Sequence, residues 1–285
     1  MNLDAPDSVV FENLAKAMYE RHPIRIPILG TAETIREITP ENLTLCHKAF
    51  YTPANMMLCV MGDVDPEAVE KAAREILGDG KGEVGEKIRD WDESMTCAQR
   101  DVGDAMEVAM PTFTLAFKCP APGKGDAAIR QEFLADLAAE SLFGESSELY
   151  LKLYDEGIID SSFGGGYETI DGCALFTCGG DSMDPEAVRK AVLSAAQDFS
   201  GISRTAFDRM KRSAFGRRIK GLDSFDATCF RLCAYAFSDF DYFRFPEIYK
   251  TIQKEDVEEF LKQTLRAENS CLSVIFPVRE GDEEI

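Results

Sequence analysis

At 285 residues with 45% apolar side chains, the chain can fill the core of one large or two medium domains. A formal net charge of −20 and a pI near 4.5 set it against phosphate backbones and anionic bilayers, which excludes nucleic acid and membrane as expected partners. Nine scattered cysteines, some in apolar runs such as those of Cys59 and Cys271, suit reduced thiols in a cytoplasmic setting, and Met1–Asp7 carries neither a secretory nor a transit pattern.

In chain order, Ser8–Tyr19 is predicted to be a helix capped by Asp7 or Ser8, with Val9, Leu14, Ala17 and Met18 apolar. His22–Gly30 reads as an extended loop broken by Pro23 and Pro27. Thr39 caps and Pro40 opens a helix whose Leu43, Cys46 and Phe50 recur at helical spacing. Met56–Met61 is a short apolar run that predicts a buried strand. Val64–Leu77 predicts a strand end and an amphipathic helix, and Gly78–Glu93, rich in glycine and charge, is the linker candidate. Ala105–Lys118 predicts a strand, Pro120–Asp126 a turn, and Ala127–Phe143 a long helix with Ile129, Phe133, Leu137 and Leu142 near one stripe. A helix over Ser147–Tyr154 follows, and then Gly157–Tyr167 and Cys173–Asp181 as strands paired around a turn at Asp171-Gly172. Further helices are predicted over Pro185–Phe199, Thr205–Lys220, Ser224–Phe237 and Asp256–Thr264, before a strand at Cys271–Phe276 and an acidic tail, Glu280–Ile285.

The chain also repeats itself. One constant offset pairs Ile38 with Ile252, Glu41 with Glu255, Leu43 with Val257, Asn55 with Asn269, Leu58 with Leu272 and Val60 with Val274. The unit is a capped helix, a turn at asparagine and a buried strand; the alternative is a local coincidence of helix and strand. A weaker echo joins Asp65-Pro66-Glu67-Ala68-Val69 to Asp184-Pro185-Glu186-Ala187-Val188, both reading as N-cap and first helical turn. If the units are equivalent, the first lacks roughly 110 residues that the second has. The expected organisation is therefore the tail of one domain over residues 1–93 and a whole domain over 94–285.

Catalytic chemistry is hard to place on these residues. The two histidines, His22 in a loop and His47 on an amphipathic helix, have no partner at the spacing that aims two ligands at one ion. Cys229 and Cys233 lie one helical turn apart, Cys173 and Cys178 flank a strand, and no CxxC occurs, so core thiols are the expected reading. There is no GxSxG elbow, and Gly164-Gly165-Gly166 lacks the residues of a phosphate loop and suits a strand kink or a close backbone approach. One basic helix stands out in an acidic chain, with Arg209, Lys211, Arg212, Arg217, Arg218 and Lys220 around an inward stripe of Phe207, Met210 and Ala214. It reads either as a solvated basic face or, through Arg209, Arg212, Arg217 and Lys220, as a contact for an acidic partner or a peptide carboxylate.

Residues 22–69 resemble the pitrilysin and mitochondrial-processing-peptidase family of zinc metallopeptidases. The likeness rests on His22-Pro23, Pro27-Ile28-Leu29-Gly30-Thr31, the helix start at Ile38, Tyr51-Thr52-Pro53-Ala54-Asn55-Met56 and Gly62-Asp63-Val64-Asp65. It continues through Ser147-Glu148-Leu149-Tyr150 and Leu153-Tyr154-Asp155-Glu156-Gly157-Ile158, and is nearest to bacterial two-domain subunits that work in pairs. The resemblance implies an α+β fold of tandem related units, each an antiparallel or mixed sheet with helices on one face, the first unit truncated. The family's HxxEH zinc motif and its further glutamate would fall upstream of residue 1, so no catalytic or metal residue is expected here and zinc belongs to a full-length parent. The arginine and tyrosine that a partner domain supplies in the family are replaced by Leu153 and Asp160. The implied function is the non-catalytic portion of a zinc-dependent peptidase subunit, half of a peptide-enclosing chamber; an inactive structural or assembly subunit is the alternative. The implied partners are a second peptidase-like subunit or a second copy of the chain, and a peptide substrate.

Overall fold

The computed structural model describes residues 4–78, 84–85, 91–197 and 202–278; most of the linker candidate and the whole predicted acidic tail lie outside them. The elements in order are α1 (Pro6–Met18), α2 (Ala32–Arg36), α3 (Pro40–Phe50), α4 (Pro66–Leu77), β1 (Asp101–Met106), β2 (Thr112–Cys119), α5 (Gly125–Phe143), α6 (Glu148–Asp155), β3 (Gly164–Ile170), β4 (Cys173–Asp181), α7 (Pro185–Gln197), α8 (Arg204–Lys220), α9 (Phe225–Ala236), α10 (Phe245–Thr251), α11 (Lys254–Thr264) and β5 (Ser270–Pro277). They form two compact units, Met1–Pro27 with Trp91–Phe215 and Pro246–Ile285, and Ile28–Asp90 with Gly216–Phe245.

The larger unit is built on a five-stranded mixed sheet in the order β1-β5-β2-β4-β3. β5 runs parallel to β1, Asp101 opposite Leu272, and antiparallel to β2, Phe113 opposite Val274. β4 completes the centre with Phe117 opposite Phe176. Alternation along each strand gives the sheet two different faces. On one, Phe113, Leu115, Phe117, Phe176 and Cys178 are buried, and helices cover them: Phe143 of α5 and Phe260 of α11 lie 5.3 Å and 5.5 Å from the Phe176 ring. A Cβ at Gly165 would stand 2.2 Å from the Phe143 ring, so that helix approaches the bare backbone of β3, the close approach the glycine run predicts. On the other face α1 lays Leu14, Ala17 and Met18 on Ala116, Cys173, Leu175 and Cys271.

Local chemistry explains most element ends. Asp171 and Gly172 both take positive φ, 46° and 95°, the geometry that a two-residue hairpin turn demands. Ser147 Oγ accepts the Tyr150 N–H at 3.0 Å and starts α6, while Gly157 at φ 68° follows its end. β3 therefore begins at Gly164 rather than Gly157. The single strand predicted over Ala105–Lys118 is two strands, divided just before Thr112 by Pro111, which has no N–H to give a ladder. Helix α10 was not predicted.

The smaller unit contains α2, α3, α4 and α9 and no strand among its described residues. Its helices are well capped: Thr31 and Thr34 form a reciprocal capping box, Thr39 Oγ accepts the Asn42 N–H at 3.2 Å, and Asp65 Oδ1 accepts the Glu67 N–H at 3.0 Å. One expectation fails here. Met56–Met61 is not a strand, and none of residues 28–77 is buried. A sheet strand exists only where a neighbour takes its N–H and C=O groups, and no described strand pairs with this segment.

Candidate functional site

Where α1 leaves the sheet, a polar cluster is enclosed in the larger unit. The Glu93 carboxylate accepts the backbone N–H groups of Glu20 at 3.3 Å, Arg21, and His22 at 2.7 Å. Burial alone would raise this carboxyl, but those three N–H donors and the nearby Lys118 cation hold it below the usual range. Lys118, only 3% exposed, keeps its ammonium 3.8 Å from Glu93 and donates to the carbonyls of Ser94 at 2.9 Å and Thr96 at 3.3 Å. It also stands 4.3 Å over the Tyr19 ring. The buried Tyr19 phenol is pushed up by desolvation and by the adjacent Cys173 thiol, to which it is hydrogen-bonded. His22 Nδ1 accepts the Ile24 N–H at 3.1 Å, which leaves Nε2 protonated, 3.3 Å from the Asp171 carbonyl. The whole cluster ties the end of α1 to β2 and to the turn between β3 and β4. With its donors already spent on backbone groups, it holds the fold and offers no reacting atom.

The structure brings no metal site together: among the described residues no three His, Cys, Asp or Glu side chains converge. His22 has both ring nitrogens engaged, and His47 is stacked on Tyr51 with centroids 5.1 Å apart. These residues do not fit a zinc ion. Leu153 is buried in the core and Asp160 accepts the Ser162 N–H at 2.8 Å, so both positions are structural. All nine cysteines are free: Cys97, Cys119, Cys173, Cys178 and Cys271 are buried in the larger unit, whereas Cys46, Cys59, Cys229 and Cys233 are exposed or half-buried in the smaller. Desolvation pushes Cys97 and Cys173 up to about 11 and Cys119 and Cys271 up to about 12. Arg209, Arg212, Arg217 and Lys220 all lie exposed on α8, around a buried Phe207 and half-buried Met210 and Ala214.

A concavity of about 390 Å³ opens beside α1, lined by Asp7, Phe11, Thr114, Glu168, Ile170, Thr177, Cys178 and Gly179. Register explains it. On the α1 face of the sheet, Thr114 stands opposite Gly179, Gly179 opposite Gly164, and Thr177 opposite Gly166. Three of these five positions carry no side chain, and a Cβ at Gly164 or Gly166 would meet nothing within 4 Å. Neither the cluster at Lys118 nor this cleft was foreseen. A lone lysine inside the apolar strand Thr112–Cys119 was the available signal for the first, and glycines at alternate positions of β3 for the second.

The larger unit is an α+β domain whose mixed sheet carries α5 and α11 on one face and α1 on the other. Residues 37–214 match the family described as Peptidase M16 inactive domain, and this chain belongs to it. Among its relatives, the uncharacterized zinc protease YmfH of Bacillus subtilis (strain 168) is 29% identical over 280 residues, 96% of this chain and 65% of YmfH. A solved M16-like peptidase from Alicyclobacillus acidocaldarius superposes with a TM-score of 0.86 at 27% identity, over 98% of this chain and 67% of the other. The peptidase M16 inactive domain from Pseudomonas fluorescens shares the fold, with a TM-score of 0.78 at 16% identity, 98% of this chain and 67% of that one. The chain thus spans about two thirds of the relatives it matches. No helix is long and apolar enough to cross a membrane among the described residues.

Proposed function

We propose that this chain is the non-catalytic portion of a zinc-dependent peptidase subunit, and that its larger unit forms one wall of a chamber enclosing peptide. The observation that carries the reading is the pairing of an M16 inactive-domain match with the lack, among the described residues, of three converging His, Cys, Asp or Glu side chains. Relatives named zinc protease support the inference that the metal belongs to segments outside these residues. By the internal repeat, residues 1–93 are the end of a first domain and 94–285 a second, although α1 docks on the second sheet. The apolar surface of residues 28–77 is then a face that meets a second subunit, and the basic face of Arg209, Arg212, Arg217 and Lys220 is a contact for an acidic partner or a peptide carboxylate. The free thiols favour a cytoplasmic setting.

Peptide cleavage by the purified chain, with and without added zinc and chelator, tests this. No turnover in either condition is expected. Chelator-sensitive cleavage together with zinc retained at one equivalent would falsify it. The second reading, an inactive structural or assembly subunit, is favoured by Leu153 and Asp160 standing where the family places arginine and tyrosine. Robust chelator-sensitive cleavage by the full-length protein with its partner subunit would eliminate that alternative. Light scattering on the isolated chain is expected to reveal self-association through the exposed apolar segment.

A further inference from the structure

We propose that Cys59 and Cys229 form a redox-sensitive disulfide that fastens the Met56–Met61 segment to α9 within the smaller unit. The two thiols are hydrogen-bonded to each other, and the Cys229 sulfur also accepts the Met61 N–H. Both residues belong to the same compact unit and both are half-buried, so a small oxidant reaches them without unfolding. Sulfurs already in contact need only local adjustment to reach disulfide geometry, and Cys59 lies in a segment with no helix or strand to hold its backbone rigid. A metal ion is the other use of paired thiols, but it takes further donors, and among the described residues no third His, Cys, Asp or Glu side chain joins them. The larger unit disposes of its thiols differently: Cys97 donates to the Asn269 carbonyl at 3.0 Å, Cys173 is hydrogen-bonded to the Tyr19 phenol, and both are buried. Met56–Met61 pairs with no described strand, so side-chain contacts such as this one set its position. A covalent bond here closes a long loop of chain, the kind of link that restrains the unfolded ensemble most. Exchange with a low-molecular-weight disulfide such as oxidised glutathione supplies the chemistry. A thiolate of the pair attacks one glutathione sulfur and expels the first glutathione; the second cysteine then attacks the mixed disulfide and expels the other. One S–S bond breaks and one forms, the two cysteine protons end on two glutathione thiols, and the pair gives up two electrons to the oxidant.

The test incubates the whole chain with oxidised glutathione under native conditions and reads intact mass, a non-reducing tryptic map and amide exchange. The oxidised chain should be lighter by about 2 Da, and Ala49–Lys71 should appear joined to Gly221–Arg231 by a bond that dithiothreitol reverses. Trypsin separates these peptides from those of Cys46, Glu37–Lys48, and of Cys233, Leu232–Arg244. Oxidation should slow amide exchange over Met56–Met61 about tenfold. Cys59→Ser and Cys229→Ser should each abolish the joined peptide, and Cys233→Ser should leave it in full. Glutathione adducts alone, joined peptides that contain Cys46 or Cys233 in place of this pair, or amide exchange over Met56–Met61 indifferent to oxidation would each overturn the proposal.

Discussion

The helix-and-turn pattern occurs twice in this chain, and only the second copy is finished by a strand. Helix α3 (Pro40–Phe50) and helix α11 (Lys254–Thr264) have matching ends under the repeat, and each is followed by a 3-10 turn, at Pro53–Asn55 and Ala267–Asn269. Even the residues that close the helices agree, Tyr51 at φ −92°, ψ 57° and Leu265 at φ −81°, ψ 69°. The copies then part. Ser270–Pro277 enters the sheet between β1 and β2, while Met56–Met61 pairs with nothing described. Burial diverges too: Val257, Leu261 and Thr264 are buried, whereas Leu43 and Phe50, which match Val257 and Thr264, are 61% and 62% exposed. A helix closes its hydrogen bonds within itself and can be written by a short sequence, but a strand is completed by what lies beside it.

Three measurements can break or sharpen this contrast. The largest effect should come from the matched pair Leu272→Asp and Leu58→Asp. Leu272 is 5% exposed within the sheet, so a carboxylate there should cost more than about 3 kcal/mol, enough to abolish the urea transition of the larger unit. Leu58 is 61% exposed, and its replacement should shift stability by no more than about 0.5 kcal/mol. Comparable losses in both variants would mean that the first copy is packed after all.

Next in size is Glu93→Gln, which takes a charged acceptor from three N–H groups and leaves Lys118 buried without its counter-charge. The expected loss is about 1–3 kcal/mol by urea denaturation. Because the folded-state pKa of Glu93 is lowered, its contribution is complete above the unfolded value of about 4.3 and is lost as pH falls through that value and then through the folded one. The gap between the native chain and the variant should therefore shrink on acidification; a gap that widens would remove Glu93 from the account. The smallest effect is Thr39→Ala. Loss of this cap should raise amide exchange within α3, equivalent to about 1 kcal/mol of local opening, and leave the global midpoint in place.

Those contrasts track what could be read from the residues alone. Thr39-Pro40, Asp65-Pro66 and Ser147 marked helix starts, and Asp171-Gly172 marked the hairpin, because caps and tight turns are decided within a few residues. Met56–Met61 misled because an apolar run specifies a wish for burial and cannot supply the neighbours. Helix α10 escaped notice although Pro246, in its first turn, is a helix-opening signal. The Lys118 cluster was invisible for another reason: it joins Tyr19, Glu93 and Lys118 from three distant stretches, and each alone reads as an ordinary surface or core residue. The cleft at Asp7 and Glu168 depends in the same way on α1 lying across β1, β5 and β2, beside the glycines of β3 and β4, a placement no periodicity records.

The partition of the thiols has a practical consequence. An alkylating reagent needs thiolate and access, and in the smaller unit Cys46 is exposed and Cys59, Cys229 and Cys233 are half-buried, while the five of the larger offer neither until it opens. Mass shifts after timed alkylation therefore form two clocks in one molecule, an early one counting to four and a late one running at the rate at which the sheet comes apart. A ligand or protein that closes over the smaller unit would slow the first clock alone.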